Sequence, residues 1–438
     1  MDFLSISLSF LAFASSSRAQ ETNPPGVITP LATNCLPASN VLCINKYDAV
    51  LPYHFYRYVP VGGTPIPYGD TIVGVPPENN QTAVPASNHS TANNPFATGA
   101  VSDADFLVFD EQAGLEILGA NPTYDFMFHV SDAVHEAPVY VPGLNLLYMS
   151  ILSPPPGTLP QLIVNLNNDP PTIEDFEPDP PIYAPNGGTY HNGLVYWAAS
   201  GGNESIGGGE QRVGIRMMDP YTNKTTVLLN NYYGYYFTTI DDLIVDAKGD
   251  IWFTDPYYAW FNKLTDEAPQ LPSATWRFRP STGAASIVED TLFLPNGITQ
   301  SPDGQHIYIS DTGASSGDFA RVPPQDNLGG TTWNQTTAHT VYKYDVIDNG
   351  MGITNKRPIY LAQDWIPDGL KCAANGYVLT GAGFGIDVLD QYGTLLVRIQ
   401  TNYTVQNFVW TGPDLTELWM MGNGGVSRVK WNLAGPLL

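Results

Sequence analysis

Six times along this chain a short strand-like run recurs: an aromatic or aliphatic residue, two largely apolar ones, then a small, polar or apolar one. The copies are Leu147-Tyr148-Met149-Ser150, Val195-Tyr196-Trp197-Ala198, Ile251-Trp252-Phe253-Thr254, Ile307-Tyr308-Ile309-Ser310, Tyr377-Val378-Leu379-Thr380 and Leu418-Trp419-Met420-Met421. Turn signals such as Ser301-Pro302-Asp303-Gly304 punctuate them, and further strand-like runs, 213–218 and 340–344 among them, lie between. A unit of several short strands cannot bury its apolar faces alone, whereas six such units packed around an axis can. The sequence therefore predicts an all-β protein, a six-bladed β-propeller with unequal loops. No helix-period segment of any length competes.

Composition agrees. Only 14% of residues are charged, 12% are aromatic, and 41 Gly and 38 Pro supply turns. A net charge of -24 argues against nucleic acid, whose affinity is built from Lys and Arg on phosphates, and against anionic membrane surfaces. The apolar run 3–14 followed by Ser17-Arg18-Ala19 reads as a secretory signal peptide over 1–19, and no later segment is long and apolar enough to cross a bilayer. Residues 20–100, rich in Pro, Asn, Thr and Gly, read as an extended glycosylated segment, and 101–438 as the propeller catalytic domain. Sequons at Asn80, Asn88, Asn203, Asn223, Asn334 and Asn402 fit a secreted glycoprotein. Cys35 and Cys43 are near neighbours suited to a local disulfide; Cys372, in a strand-like stretch, reads as a buried thiol. The alternating residues of 104–128 are expected to supply an outer strand.

One oxygen-bearing side chain precedes each recurring run in nearly the same register. Glu136, Asn186, Asp241, Asn296, Asp368 and Asn407 stand ten to twelve positions before Tyr148, Tyr196, Trp252, Tyr308, Val378 and Trp419. That is the entry to each unit's innermost strand, and innermost strands ring the propeller axis. Six carboxylates and amides converging there suit a hard cation such as Ca²⁺, with another divalent cation as an option. Taken singly, Pro185-Asn186-Gly187, Pro295-Asn296-Gly297 and Pro367-Asp368-Gly369 also read as plain turns. The shared register, and Glu136 as a poor turn residue, favour a joint site.

These residues carry a resemblance. His135-Glu136-Ala137, Pro185-Asn186-Gly187-Gly188-Thr189-Tyr190, Leu229-Asn230-Asn231-Tyr232-Tyr233-Gly234, Asp241-Asp242-Leu243, Phe253-Thr254-Asp255, Leu294-Pro295-Asn296-Gly297, Ser310-Asp311-Thr312-Gly313 and Ile366-Pro367-Asp368-Gly369 resemble the senescence-marker-protein/gluconolactonase/LRE-like family, above all its fungal extracellular lactonohydrolases. The resemblance implies one catalytic divalent ion, usually Ca²⁺, on the axis, with Glu136, Asn296 and Asp368 as direct ligands. Family members carry Asn where this chain has Asp241, so a further carboxylate is available here to bind metal or act as a base.

The implied chemistry is lactone hydrolysis on a small-molecule substrate. The ion polarises the carbonyl and a carboxylate takes the proton of attacking water, Asp368 first and Asp241 second. His135 is expected either to face the pocket or to pack away from it. Asn186 and Asn407 are expected to meet substrate. Tyr236 belongs to a cluster with Tyr232, Tyr233, Tyr235 and Phe237 that either packs a blade or walls the mouth. Asp255-Pro256-Tyr257-Tyr258 and Asp311-Thr312 read as blade turns outside the site. Gly-x-Ser-x-Gly, His-Glu-x-x-His, phosphate-loop and zinc-type Cys/His patterns do not occur. Two other functions fit the same propeller: a diverged isomerase or cyclase on a secondary metabolite, and a non-catalytic binding protein with a structural ion.

Overall fold

Every recurring aromatic run lies on the second strand of a four-stranded antiparallel unit. The computed structural model describes residues 32–36, 40–44, 104–131, 134–153, 159–202, 206, 211–316, 332–334, 336–362 and 365–437. The second strands of blades I to VI are Leu146–Met149, Leu194–Ala199, Ile251–Asp255, His306–Asp311, Val378–Ala382 and Glu417–Asn423. Each pairs with an innermost strand: Val139–Val141, Pro185–His191, Leu243–Val245, Pro295–Gln300, Pro367–Cys372 and Thr404–Thr411 in turn. The molecule is the expected six-bladed β-propeller.

Successive side chains of a strand point to opposite faces, and in a propeller both faces of a blade are covered. That is why the runs are apolar throughout instead of alternating with polar residues. Trp197 packs with blade I residues such as Val139 and Tyr148, while its neighbour Ala198 packs with blade III residues Phe253 and Trp276. Trp252 joins Ile298, Ile307 and Ile309 of blade IV. Tyr308 meets Leu370 and Val378 of blade V, and Leu379 and Ile386 meet Phe408 and Met420 of blade VI. Trp419 and Met421 pack with Leu147, Met149 and Val164 of blade I, closing the ring.

Closure is also made by hydrogen bonds. The outermost strand of blade VI is Thr123–His129, which precedes blade I in the chain and pairs antiparallel with Gly425–Lys430. Blade V is widened in a similar way. Phe106–Val108 adds to its strand Leu395–Gln400, and Val41–Ile44 and Ala32–Asn34 follow outside it.

Stretch 104–128 was expected to form an outer strand; it forms Phe106–Val108 and Thr123–His129 in two different blades, with helix Glu111–Leu118 between them. Asp110 caps that helix by accepting from the Ala113 N–H at 3.0 Å, and Ile117 and Leu118 bury against blades V and VI. Part of the expected extended segment is likewise paired: a hairpin cross-linked by Cys35–Cys43. Residues 1–31 and 45–103, on which the expected signal peptide and the sequons at Asn80 and Asn88 fall, lie outside the described residues, as does Asn203. Asn223, Asn334 and Asn402 are exposed. Cys372 is buried with its thiol pushed up to about 12 by burial. Among the described residues no helix is long and apolar enough to cross a membrane.

Candidate functional site

The three Pro-Asn/Asp-Gly tripeptides read as turns in the sequence are strand entries in the structure. Asn296 and Gly297 fall between the ladder pairs of Pro295 and Ile298, and Asp368 and Gly369 between those of Pro367 and Leu370. A bulge of this kind frees a side chain from the ladder and re-aims it. The glycines are not there for a left-handed backbone, since none of Gly187, Gly297 and Gly369 has a positive φ. They permit close approach of the next blade. A Cβ on Gly297 would stand 2.5 Å from the Asp368 carbonyl oxygen and 2.6 Å from Leu370 N. One on Gly187 would stand 2.5 Å from Asp242 Cα, and one on Gly369 2.5 Å from Asn407 Cγ. Gly297→Ala is therefore expected to lose about 1–3 kcal/mol, because backbone cannot yield as a side-chain end does. Urea unfolding would measure it, and wild-type stability would show that the close approach is unimportant.

Hydroxyls at the ends of second strands hold these entries in place. Ser150 Oγ donates to Glu136 O at 3.0 Å, Thr254 Oγ1 to Asn296 O at 2.6 Å, and Ser310 Oγ to Asp368 O at 3.1 Å. The polar fourth residue of several recurring runs thus clamps its own or the next blade's site residue.

Glu136, Asn186, Asp241, Asn296 and Asp368 all line one cavity of about 490 Å³, with His135 beside them. Each of the five is nearly or wholly buried. Asn186 Nδ2 donates to Asp241 Oδ1. The Glu136 and Asp368 carboxyls shift each other, Asp368 raising Glu136 and Glu136 lowering Asp368. Burial, together with the neighbouring carboxylates, pushes the Glu136 and Asp241 carboxyls well above the usual range. Burial raises Asp368 to about 7, with Glu136 and Asn296 pulling it down and Asp242 pushing it up. Burial holds His135 near 4, although about a third of its side chain reaches open space; its Nε2 is 3.9 Å from Glu136 Oε1. At neutral pH its imidazole is uncharged and offers no compensating cation. Lys371 contacts Asp242 at 3.7 Å rather than these three.

The donor set has room for a cation. Both Glu136 oxygens, Asp241 Oδ2, Asp368 Oδ1, Asn186 Oδ1 and Asn296 Oδ1 are buried without a hydrogen-bond partner. Buried carboxylates left in this state are costly unless something positive meets them. Among the described residues no three His, Cys, Asp or Glu side chains by themselves form a metal cluster. A hard ion fits here as a guest of mixed carboxylate and amide oxygens.

Two expected members stand apart. Asn407 is fully buried but does not line the cavity, and its Oδ1 accepts from Phe408 N at 2.8 Å, leaving Nδ2 unpartnered. The register of its strand shifts between Val405 and Asn407, so blade VI presents Gln406 to the cavity instead. Tyr236 is half-buried beneath the Arg212 guanidinium, 5.0 Å from its ring centre, and is absent from the cavity wall. Tyr232 and Phe237 pack on Trp276, the blade-packing alternative for that cluster.

Tyr258, read from sequence as part of a blade turn, is in the site. A single-turn helix, Tyr258–Phe261, follows the second strand of blade III and carries the phenol to the cavity, where it accepts from Asn296 Nδ2 at 3.3 Å. Its partner Thr312 enters the same network. The neighbouring acids are loop staples, as expected: Asp255 accepts from Thr238 N and Thr239 N, and Asp311 from Phe293 N, Leu294 N and Gly313 N. Leu152, Phe261, Leu264, Trp365 and Ile366 form apolar walls above the acidic floor.

Comparison with known proteins places these features in a family. The model for the SMP-30/gluconolactonase/LRE-like region matches residues 191–327 and 329–422. The chain is 43% identical to lactonohydrolase oryL of Aspergillus oryzae over 95% of its own length and 90% of that protein. Among solved structures it is similar to a gluconolactonase from Xanthomonas campestris (TM-score 0.58, 21% identity, 74% of this chain and 94% of that one). It is also similar to the calcium-binding protein regucalcin of Agrobacterium tumefaciens (TM-score 0.50, 13% identity, 72% of this chain and 97% of that one). Family model, identity and six-bladed fold agree: this chain belongs to the SMP-30/gluconolactonase/LRE-like family.

Proposed function

We propose that this protein is a secreted, divalent-cation-dependent lactonase, with Ca²⁺ as the first candidate ion, that opens a small-molecule lactone to its hydroxy acid. One observation carries the reading: three buried carboxylates face a cavity with neither Lys nor Arg among its described lining residues. The similarity to a fungal lactonohydrolase supports the reaction, and the similarity to regucalcin supports the cation.

Glu136, Asp241, Asn296 and Asp368 would hold the ion. A bound cation would supply a Lewis acid for the lactone carbonyl and the oxyanion that develops on it. Asp368 is the best-placed base. Burial raises it to about 7, so it ionises near neutrality, whereas Asp241 is pushed well above the usual range. As its carboxylate takes a proton, the water oxygen bonds to the carbonyl carbon. The ring C–O bond then breaks, and the alkoxide formed takes that proton back. Neutral His135 at the rim and Gln406 and Asn423 on the wall are available to orient polar groups of the substrate. The apolar wall, with neither Lys nor Arg among the described lining residues, favours an uncharged lactone with a hydrocarbon substituent over an anionic one.

The test is pH-stat hydrolysis of a lactone panel, from small aldonolactones to alkyl-substituted lactones, before and after metal removal and with Ca²⁺ restored. Acid release lost on stripping and recovered with Ca²⁺ is expected. An isomeric product of unchanged mass would mean a diverged reaction. Ca²⁺ binding with no turnover of any panel member would overturn the lactonase reading in favour of a binding propeller.

A further inference from the structure

The amide of Asn296 has two ends in different situations. Its Nδ2 donates to the Tyr258 hydroxyl at 3.3 Å, while its Oδ1 is buried without a partner. Of the two N–H bonds on the nitrogen, one goes to Tyr258 and the other lies toward Asp368, whose carboxyl it pulls down, so the oxygen is the end left open. Tyr258 is the acceptor that keeps the amide turned this way.

The direction of the surrounding hydrogen bonds shows how. Thr312 Oγ1 donates its proton to the Leu294 carbonyl at 3.1 Å, so toward Tyr258 it can only accept. The Tyr258 hydroxyl therefore donates to Thr312, which leaves its lone pairs for the Asn296 N–H. The relay runs one way, from Asn296 to Tyr258 to Thr312 to Leu294 O. Its last acceptor is the carbonyl just before the Pro295-Asn296 entry, so relay and amide belong to one rigid turn. Phe261 packs edge-on against the Tyr258 ring at 5.5 Å and limits its swing.

We propose that Tyr258, locked by Thr312, is a positioning residue that fixes the Asn296 amide so that Oδ1, and not Nδ2, is offered to a divalent cation. The proposal rests on the cation reading above. Outer partners that orient a ligand typically change metal affinity by about 10- to 100-fold when removed.

The experiment is calorimetric Ca²⁺ titration of the metal-stripped full chain as wild type, Tyr258→Phe, Thr312→Val and the double variant, with the melting temperature of each stripped protein. Tyr258→Phe keeps the ring and removes the acceptor. Thr312→Val removes the acceptor of the Tyr258 proton, so the hydroxyl is no longer held as an acceptor for Asn296 Nδ2. Each single variant is expected to bind Ca²⁺ about 10- to 100-fold more weakly. Because the residues act in series, the double variant is expected to be no weaker than Tyr258→Phe alone. A general packing role would lower the stripped melting temperature without this pattern. Wild-type binding that Tyr258→Phe leaves unchanged, or losses that add in the double variant, would overturn the positioning role alone. A wild-type protein that takes up neither Ca²⁺ nor Mg²⁺, Mn²⁺ or Zn²⁺ would overturn the cation reading and this proposal with it. If Tyr258→Phe does not fold, Thr312→Val decides.

Discussion

Replacing Asp368 by Asn is expected to lower kcat/KM by about 10²- to 10⁴-fold, the span a positioned general base contributes, or about 3–5 kcal/mol of barrier. Asn keeps the shape and an amide oxygen for the ion but cannot take a proton. The loss should therefore persist at Ca²⁺ concentrations that calorimetry shows to be saturating. That separates the base from the ligand. A pH profile gives a second check. With burial raising Asp368 to about 7, the active ionised form is populated as pH rises, so wild-type activity should climb on its acid side. A bound cation favours the carboxylate and moves the midpoint below 7. Asp368→Asn should lose that limb. Full turnover in Asp368→Asn at saturating Ca²⁺ would remove Asp368 as the base and pass the role to Asp241, which Asp241→Asn would then test.

The second large effect concerns stability. Glu136, Asp241 and Asp368 all have carboxyls raised in the folded protein above the ordinary value of about 4. A raised folded pKa means the fold prefers the protonated acid. The stability tied to these groups is therefore fully present below pH 4 and lost as pH rises through the folded values. For Asp368 the loss is centred between about 4 and about 7, and the other two, raised by burial and by the neighbouring carboxylates, lose stability in the same direction as pH rises. A cation reverses the preference by meeting the ionised set. Metal-stripped protein is thus expected to melt lower at pH 8 than at pH 5, and added Ca²⁺ to raise the melting temperature more at pH 8. At a thousandfold excess over Kd the linkage is worth about 4 kcal/mol, on the order of 5 °C or more in a chain of this size. Differential scanning calorimetry of stripped protein with and without Ca²⁺ at both pH values measures it. A Ca²⁺ shift equal at pH 5 and pH 8, or absent at both, would show that the carboxylates are not the cation's partners.

Gly297→Ala links these two results to the backbone. Its alanine Cβ would press on the Asp368 carbonyl, so a loss of stability should come with weakened Ca²⁺ binding. The glycines after Asn186, Asn296 and Asp368 are spacing devices for neighbouring blades, and their sequence signature is the same as that of a turn.

Much of this was legible in the chain because the determinants are local. Short apolar runs at six places, bounded by turn signals, set strands, and apolarity on both faces, as in Val195-Tyr196-Trp197-Ala198, required sheets covered on both sides. The register of Glu136, Asn186, Asp241, Asn296 and Asp368 before those runs located the cavity floor, since the start of an innermost strand has only one place to go in a propeller. What failed to read did so where a local shift changes the outcome. One bulge before Asn407 gave the cavity to Gln406, because side-chain direction reverses with each residue of a strand. The capped helix Glu111–Leu118 hid in an alternating stretch because a short helix has little periodic signal of its own.

The sequence by itself determined the strands, their sixfold grouping, the family and the five polar residues of the floor. Only the tertiary structure decided which ends of those side chains face one another, that Tyr258 and Thr312 belong with Asn296, and that Tyr236 does not. Strand positions and burial follow from short apolar runs and turn signals, which are local to each stretch of chain. Hydrogen-bond direction and mutual charge depend on ångström-scale approach between blades tens to hundreds of residues apart, and no local pattern encodes that.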